Sequence, residues 1–306
     1  MKNSKGIWTL LLLLAPVFTF AQDDLFDLIE EEETKNEKVY ATFKTTRLIL
    51  GHTIETVKKK SLDFRITHRF DDMAGSNGGF ETLFGFDNVT DVRMAFEYGI
   101  TDDLTVGYGR SKGGNIRQLW DGHLKYRVLK QNSDFKIPVT ITLFASGVIS
   151  SADPSTNPAS EASFQQFSHR VSYITQAIIA SKLHEYVSIQ LVPTWLHRNY
   201  VAYGDENDIF ALGIGGRIKF TKRTALIFDY FLPFSDYRNN TPAWETRDFF
   251  NPLGIGIEIE TGGHVFHINF SNSTGVIEQE FIPYTVDNWF DGEFRLGFNI
   301  SRIFSF

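Results

Sequence analysis

The chemistry open to this chain is narrow. Its 306 residues include eight His and no Cys, which removes disulfides, thiolate metal sites and thiol nucleophiles. The nearest His pair in sequence, His264 and His267, stands three residues apart. On a strand that spacing puts the rings on opposite faces, so they do not share a metal ion. His52, His68, His123 and His267 read as hydrogen-bonded structural residues. Gly107-Tyr108-Gly109 with Gly113-Gly114 has the composition of a phosphate loop, but no helix follows to present N–H groups to an anion. A Ser–His pair on a lipid-facing surface would make a lipid hydrolase or acyltransferase. His68, near a membrane edge, is the candidate base, yet no Ser is paired with it by spacing. What remains is the electrostatics of many charged side chains, 30 Lys and Arg against 37 Asp and Glu. No cofactor and no metal are expected. A net charge of −7 speaks against nucleic acid as a partner, because phosphate contact wants clustered basic residues.

Such side chains need elements to hold them, and the period of the apolar residues names the element. From Leu62 to Phe70, and again over 92–100, 104–108, 123–128, 210–220, 253–260 and 294–301, apolar residues alternate with polar ones or Gly. Successive side chains of a strand point to opposite faces, so each segment has one apolar and one polar face. Less regular strands are expected at about 137–150, 170–181, 185–198, 224–234 and 264–272. That makes twelve, most of them 9–14 residues long, which suits a tilted membrane-crossing strand better than a soluble one of about 5–6 residues.

Short connections (101–103, 131–136, 182–184, 221–223, 261–263) alternate with long ones rich in Gly, Ser, Asn, Asp and Pro. The fold predicted is all-β: a transmembrane antiparallel up-and-down β-barrel of about 12 strands, with short periplasmic turns and long extracellular loops. Aromatics, 15% of the chain, gather near strand ends or on outward faces. Tyr98, Tyr108, Trp120, Tyr126, Tyr173, Trp195, Tyr200, Tyr230, Phe231 and Phe234 are so placed, as ring and polar tip prefer the membrane–water boundary.

Residues 1–21 have the layout of a secretory signal peptide: Lys2 and Lys5, an apolar run over 7–18, then Thr19-Phe20-Ala21. Residues 22–60 form an N-terminal segment, a periplasmic tail or a filling for the lumen, and 61–306 the barrel. Within the tail, Asp23 to Glu33 is acidic and is a docking peptide for a periplasmic partner or a solvated end. Val39 to Val57 is less polar, able to enter the lumen or add to the wall. Phe304 and Phe306 end the last strand in the manner of the insertion signal read by outer-membrane assembly machinery, although Arg302 interrupts the alternation. The surrounding partners are outer-membrane lipids, and the location implied is the cell outer membrane.

Four stretches, TRLILGH (46–52), SLDFRITHRF (61–70), EYGITDDLTVGYGRS (97–111) and DGHLKYR (121–127), together resemble an uncharacterised outer-membrane barrel family known as domain of unknown function 5777. The resemblance spans about 45–306. It implies a location and an architecture, and no activity.

The same alternation turns Arg65, Arg69, Arg93, Lys125, Arg127, Arg217, Lys219 and Arg295 inward, together with Asp63, Glu97, Asp229, Glu258 and Glu260. Two readings stand. Either these charges pair across a narrow barrel and fill it, or they line a cationic passage that favours anions and is plugged by the acidic tail. The expected function is a narrow porin-like, transport or structural barrel. The alternatives are an outer-membrane lipid-acting enzyme, and an assembly or adhesion barrel working through its loops or N-terminal tail.

Overall fold

The computed structural model describes residues 38–158, 160–241 and 247–306; the expected signal peptide and the acidic stretch 22–37 lie outside them. Twelve strands follow in order: β1 (Ser61–Asp72), β2 (Val89–Gly99), β3 (Leu104–Ser111), β4 (Leu119–Leu129), β5 (Thr140–Ser150), β6 (Val171–His184), β7 (Val187–Arg198), β8 (Asp208–Lys219), β9 (Thr224–Phe234), β10 (Leu253–Thr261), β11 (His264–Ser271) and β12 (Arg295–Ser305). Each is antiparallel to its sequence neighbours, and β1 closes on β12 with Ser61 opposite Ser305. Closure leaves no strand edge exposed to lipid, where unpaired backbone groups are costly. Two short helices sit in the long connections, α1 (Asp236–Asn239) and α2 (Glu278–Tyr284).

The boundaries depart from expectation where local chemistry intervenes. Strand β5 starts at Thr140 rather than at 137, because Pro138 has no N–H to give the ladder. Its carbonyl instead accepts from Ser181 Oγ at 2.8 Å. Residues 39–57 do not join the wall.

The outer face is apolar. Met94, Phe96, Leu124, Ile257 and Ile268 are all exposed, while their sequence neighbours Arg93, Glu97, Lys125, Glu258 and His267 are buried on the inside. Placing a cation at Ile257, near the middle of β10, should therefore destabilise the barrel by roughly 2–4 kcal/mol. Refolding of Ile257→Arg into lipid vesicles measures this, and unchanged stability would show that this face does not meet lipid.

Candidate functional site

The lumen is occupied, and the wall's inward side chains explain how. The chain enters beside the β4–β5 turn, where Val39 N donates to Gln131 O at 2.9 Å. It climbs inside the barrel, reverses at residues 48–51, and descends to β1. The reversal is a hairpin: Leu48 N donates to Gly51 O and Thr53 N to Thr46 O, each at 2.9 Å. Irregular backbone inside a barrel must find hydrogen-bond partners there, and the wall supplies them. Ser188 Oγ donates to Thr42 O (2.7 Å), Lys125 Nζ to Thr46 O (2.9 Å), Gln190 Nε2 to His52 O (3.0 Å) and Thr142 Oγ1 to Ile54 O (2.8 Å). Asp229 Oδ2 accepts from the N–H groups of Leu50 (2.8 Å) and Gly51 (2.9 Å) at the tip. Lys44 pairs with Glu260.

The hairpin tip is also greasy. Leu48, Ile49, Leu50 and Ile54 pack with Phe144, Ile178, Leu196, Ile227 and Phe231, so the inner face of β5–β9 carries an apolar patch among its polar groups. Phe231, expected near a strand end or on an outward face, is 1% exposed and lies inside, close to the end of β9. Its ring fits because Gly51 on the hairpin and Gly213 on β8 both approach it; a Cβ at either would stand 2.6 Å from the ring. His52 sits between Arg47, whose Nη1 lies 3.3 Å from its Nε2, and the Phe144 ring at 4.2 Å.

From the other mouth the connection between β11 and β12 folds inward and brings α2, all seven residues of which are buried. Arg47 of the hairpin meets this loop, donating to Val276 O (2.9 Å) and Glu278 Oε2 (3.2 Å). From the wall, Arg69 donates to Ser273 O (2.9 Å) and Gly275 O (2.7 Å), and the Phe281 ring packs tilted against Phe231 with centroids 4.9 Å apart. Neighbouring loops hold α2 in turn. Tyr284 donates to Glu161 at 2.6 Å and Arg238 to Pro283 O at 2.6 Å. Glu280 accepts from the backbone N–H groups of Gly114, Asn115 and Ile116 at 2.9–3.0 Å.

Burial pushes the Glu280 carboxyl up to about 8, and Asp91 acts in the same direction, while the three N–H groups oppose them. A raised carboxyl pKa means that a released loop ionises from its ordinary 4.5 while the docked loop stays protonated. Docking is thus tightest below about 4.5 and weakens as pH rises through about 8. Protease cleavage within 272–294 is expected to quicken across that window, and Glu280→Gln to remove the dependence.

Among the charged residues expected in the lumen, Arg65, Arg69, Arg93, Glu97, Lys125, Asp229, Glu258 and Arg295 are buried there, as is Asp63. Arg127, Arg217, Lys219 and Glu260 are half-buried. Many pair locally: Arg65 with Asp63 (3.1 Å), Arg93 with Asp121 (2.5 Å), Arg217 with Glu258 (2.7 Å) and Arg127 with Asp103 (2.9 Å). Arg295 pairs with Asp287 of the loop. Lys125 and Arg69 instead spend their hydrogens on carbonyls of the hairpin and the loop. The structure adds Asp72, Asp91, Asp121 and Arg198 to the interior; Asp91 and Asp121 share the parity of Arg93 and Lys125 and were legible by it. The inward strand residues named here, buried and half-buried together, thus number nine cations and eight carboxylates, a mixed lining in near balance.

His68 lies on the outer face between the rings of Phe298 (5.0 Å) and Phe70 (4.5 Å). His197 bonds Asp208 through Nδ1 (2.8 Å) and Asn199 through Nε2 (3.1 Å), which leaves neither ring nitrogen for a serine. His267 is buried against Glu258 (3.2 Å), on the opposite face from His264. Among the described residues no group of three His, Asp or Glu is poised for a metal ion.

These features define a membrane-bound β-barrel whose passage is filled by its own N-terminal hairpin and one of its long loops. The chain belongs to the family described as membrane bound beta barrel domain (DUF5777), which matches residues 43–304, a span that takes in the hairpin tip with the wall. Among solved structures it is similar to the NanC porin, at 8% identity over 79% of this chain and 98% of that one, with a TM-score of 0.46. It is likewise similar to the KdgM porin in complex with disordered oligogalacturonate (8%, 80% and 99%, TM-score 0.46). A third is an outer membrane channel from Pseudomonas putida F1 (14%, 82% and 98%, TM-score 0.46). No curated protein matches the sequence.

Proposed function

We propose that this protein is an outer-membrane channel held closed at rest by residues 39–57 from the periplasmic side and by the α2 loop from outside. One observation carries the reading: the lumen is closed by two separable segments and not by the side chains of the wall. Small barrels of about 8 strands fill themselves with side chains; here twelve strands enclose a polar lining that a hairpin and a helix occupy. Displacing both segments leaves a hydrated passage bordered by Arg65, Arg93, Glu97, Lys125, Asp229 and Glu258. Both signs stand side by side there, so an open passage should discriminate weakly between small anions and cations. The reading assigns no catalytic step to the chain. It places Phe304 and Phe306, both exposed at the end of β12, as the insertion signal for the assembly machinery.

The apolar contacts of Leu48, Ile49 and Leu50 favour a second reading, a structural barrel whose filling never leaves. A reversible tether separates the two. Ser188 Oγ touches Thr42 O, and the chain has no other thiol to interfere, so Thr42→Cys/Ser188→Cys links hairpin and wall. In planar bilayers the oxidised form should stay silent and the reduced form show openings under applied voltage. Equal silence in both forms would favour the structural barrel.

A further inference from the structure

We propose that the loop-side rim at the ends of β3 and β4 binds the phosphate of an anionic membrane lipid. The proposal rests on the outer-membrane orientation argued above, in which the long loops face outward.

The outer face of β3 ends in two cations. Arg110 stands over the Trp120 ring at 5.3 Å, and Tyr108 stacks on the same ring at 5.8 Å. Trp120 and Tyr108 are exposed to the bilayer and mark the level at which headgroups begin. Lys112 follows on the same face, its Nζ held by Val89 O at 2.7 Å. Arg117 projects from the connection to β4 and is exposed. Lys112 and Arg117 line a cleft of about 280 Å³ together with Thr90, Asn115 and Thr274.

Three cations on a net-negative protein would ordinarily meet carboxylates, and among the described residues none of these three forms an ion pair. The two carboxylates that bond this connection are turned inward. Asp91 accepts from Gly113 N at 3.0 Å, and Glu280 accepts from the next three N–H groups. Those bonds fix the backbone of the 112–118 connection and leave its basic side chains outside. Below the cleft the wall offers Met94, Phe96 and Leu124, all exposed, as a surface for acyl chains. Cations above, an aromatic girdle between and apolar wall beneath match a lipid with an anionic head, and Arg binds phosphate oxygens in pairs. A free anion would have no use for the lower two layers.

The test is native mass spectrometry of the intact refolded barrel in detergent, with diphosphoryl lipid A as the probe. The variant is Arg110→Gln/Lys112→Gln/Arg117→Gln. The control is Arg302→Gln, which removes an Arg standing over Phe304 at 4.9 Å on the opposite rim. Bound lipid should fall on the order of tenfold in the triple variant and hold in the control, with excess inorganic phosphate failing to displace it. Equal retention by the triple variant, equal loss in the control, or displacement by inorganic phosphate would overturn the proposal. If the triple variant does not refold, Lys112→Gln/Arg117→Gln, both outside the membrane-embedded part of the wall, is read by the same criteria. Conductance of the same samples reads the closed-channel reading separately, so the two can fail independently.

Discussion

Barrels lacking residues 22–57 are expected to conduct continuously under conditions in which the intact chain is silent. The wall closes through the β1–β12 ladder without any bond from the hairpin, so the barrel can form, and what it loses is its filling. The loss is large on two counts. Leu48, Ile49, Leu50 and Ile54 are each at most 2% exposed, and burial of such a side chain contributes about 1.5–3 kcal/mol. Lys125, Asp229 and Gln190 also lose partners, and each is at most 2% exposed in the closed state; only water entering the lumen can replace those bonds. The truncated barrel should accordingly melt at lower temperature and carry current. A truncated barrel that folds and stays silent would mean that the α2 loop alone seals the passage.

The second large effect concerns the meeting point of the two fillings. Replacing Arg47 by Met is expected to release the α2 loop although Arg47 belongs to the other segment. Arg47 is 4% exposed and Glu278 3%. Removing one member of a buried pair costs roughly 3–5 kcal/mol, or about two to three and a half powers of ten in the closed-to-open ratio at about 1.4 kcal/mol per tenfold. Glu278 would be left without its cation, and Val276 O and Leu50 O without their donor. The double variant Arg47→Met/Glu278→Met should recover much of the closed state, because replacing both members by apolar groups of similar size is nearly neutral. Bilayer recordings of the three variants, with protease cleavage in 272–294 as a second readout, measure the coupling. Additive effects of the two substitutions would show that hairpin and loop dock independently.

The wall was legible because its signal is local. Alternation from Leu62 to Phe70 or from Leu253 to Glu260 needs only that neighbouring residues face opposite ways, and it yields the strand, its two faces and, with the even count, the closure. It also placed Arg93, Lys125 and Glu258 inside. Aromatic character, not alternation, was the poor guide at Phe231: the residue shares the parity of Asp229 and lies inside, but with Tyr230, Phe231 and Leu232 in succession both faces of β9 are apolar there and polarity does not tell them apart. Only the tertiary structure decided what fills the barrel. Lys125 and Thr46 stand 79 residues apart, Asp229 and Leu50 179, and Arg47 and Glu278 231. No periodicity reports a contact at such separation. Whether an inward Thr, Gln or Asp faces water or a buried carbonyl depends on which distant segment the closed wall brings within hydrogen-bonding reach.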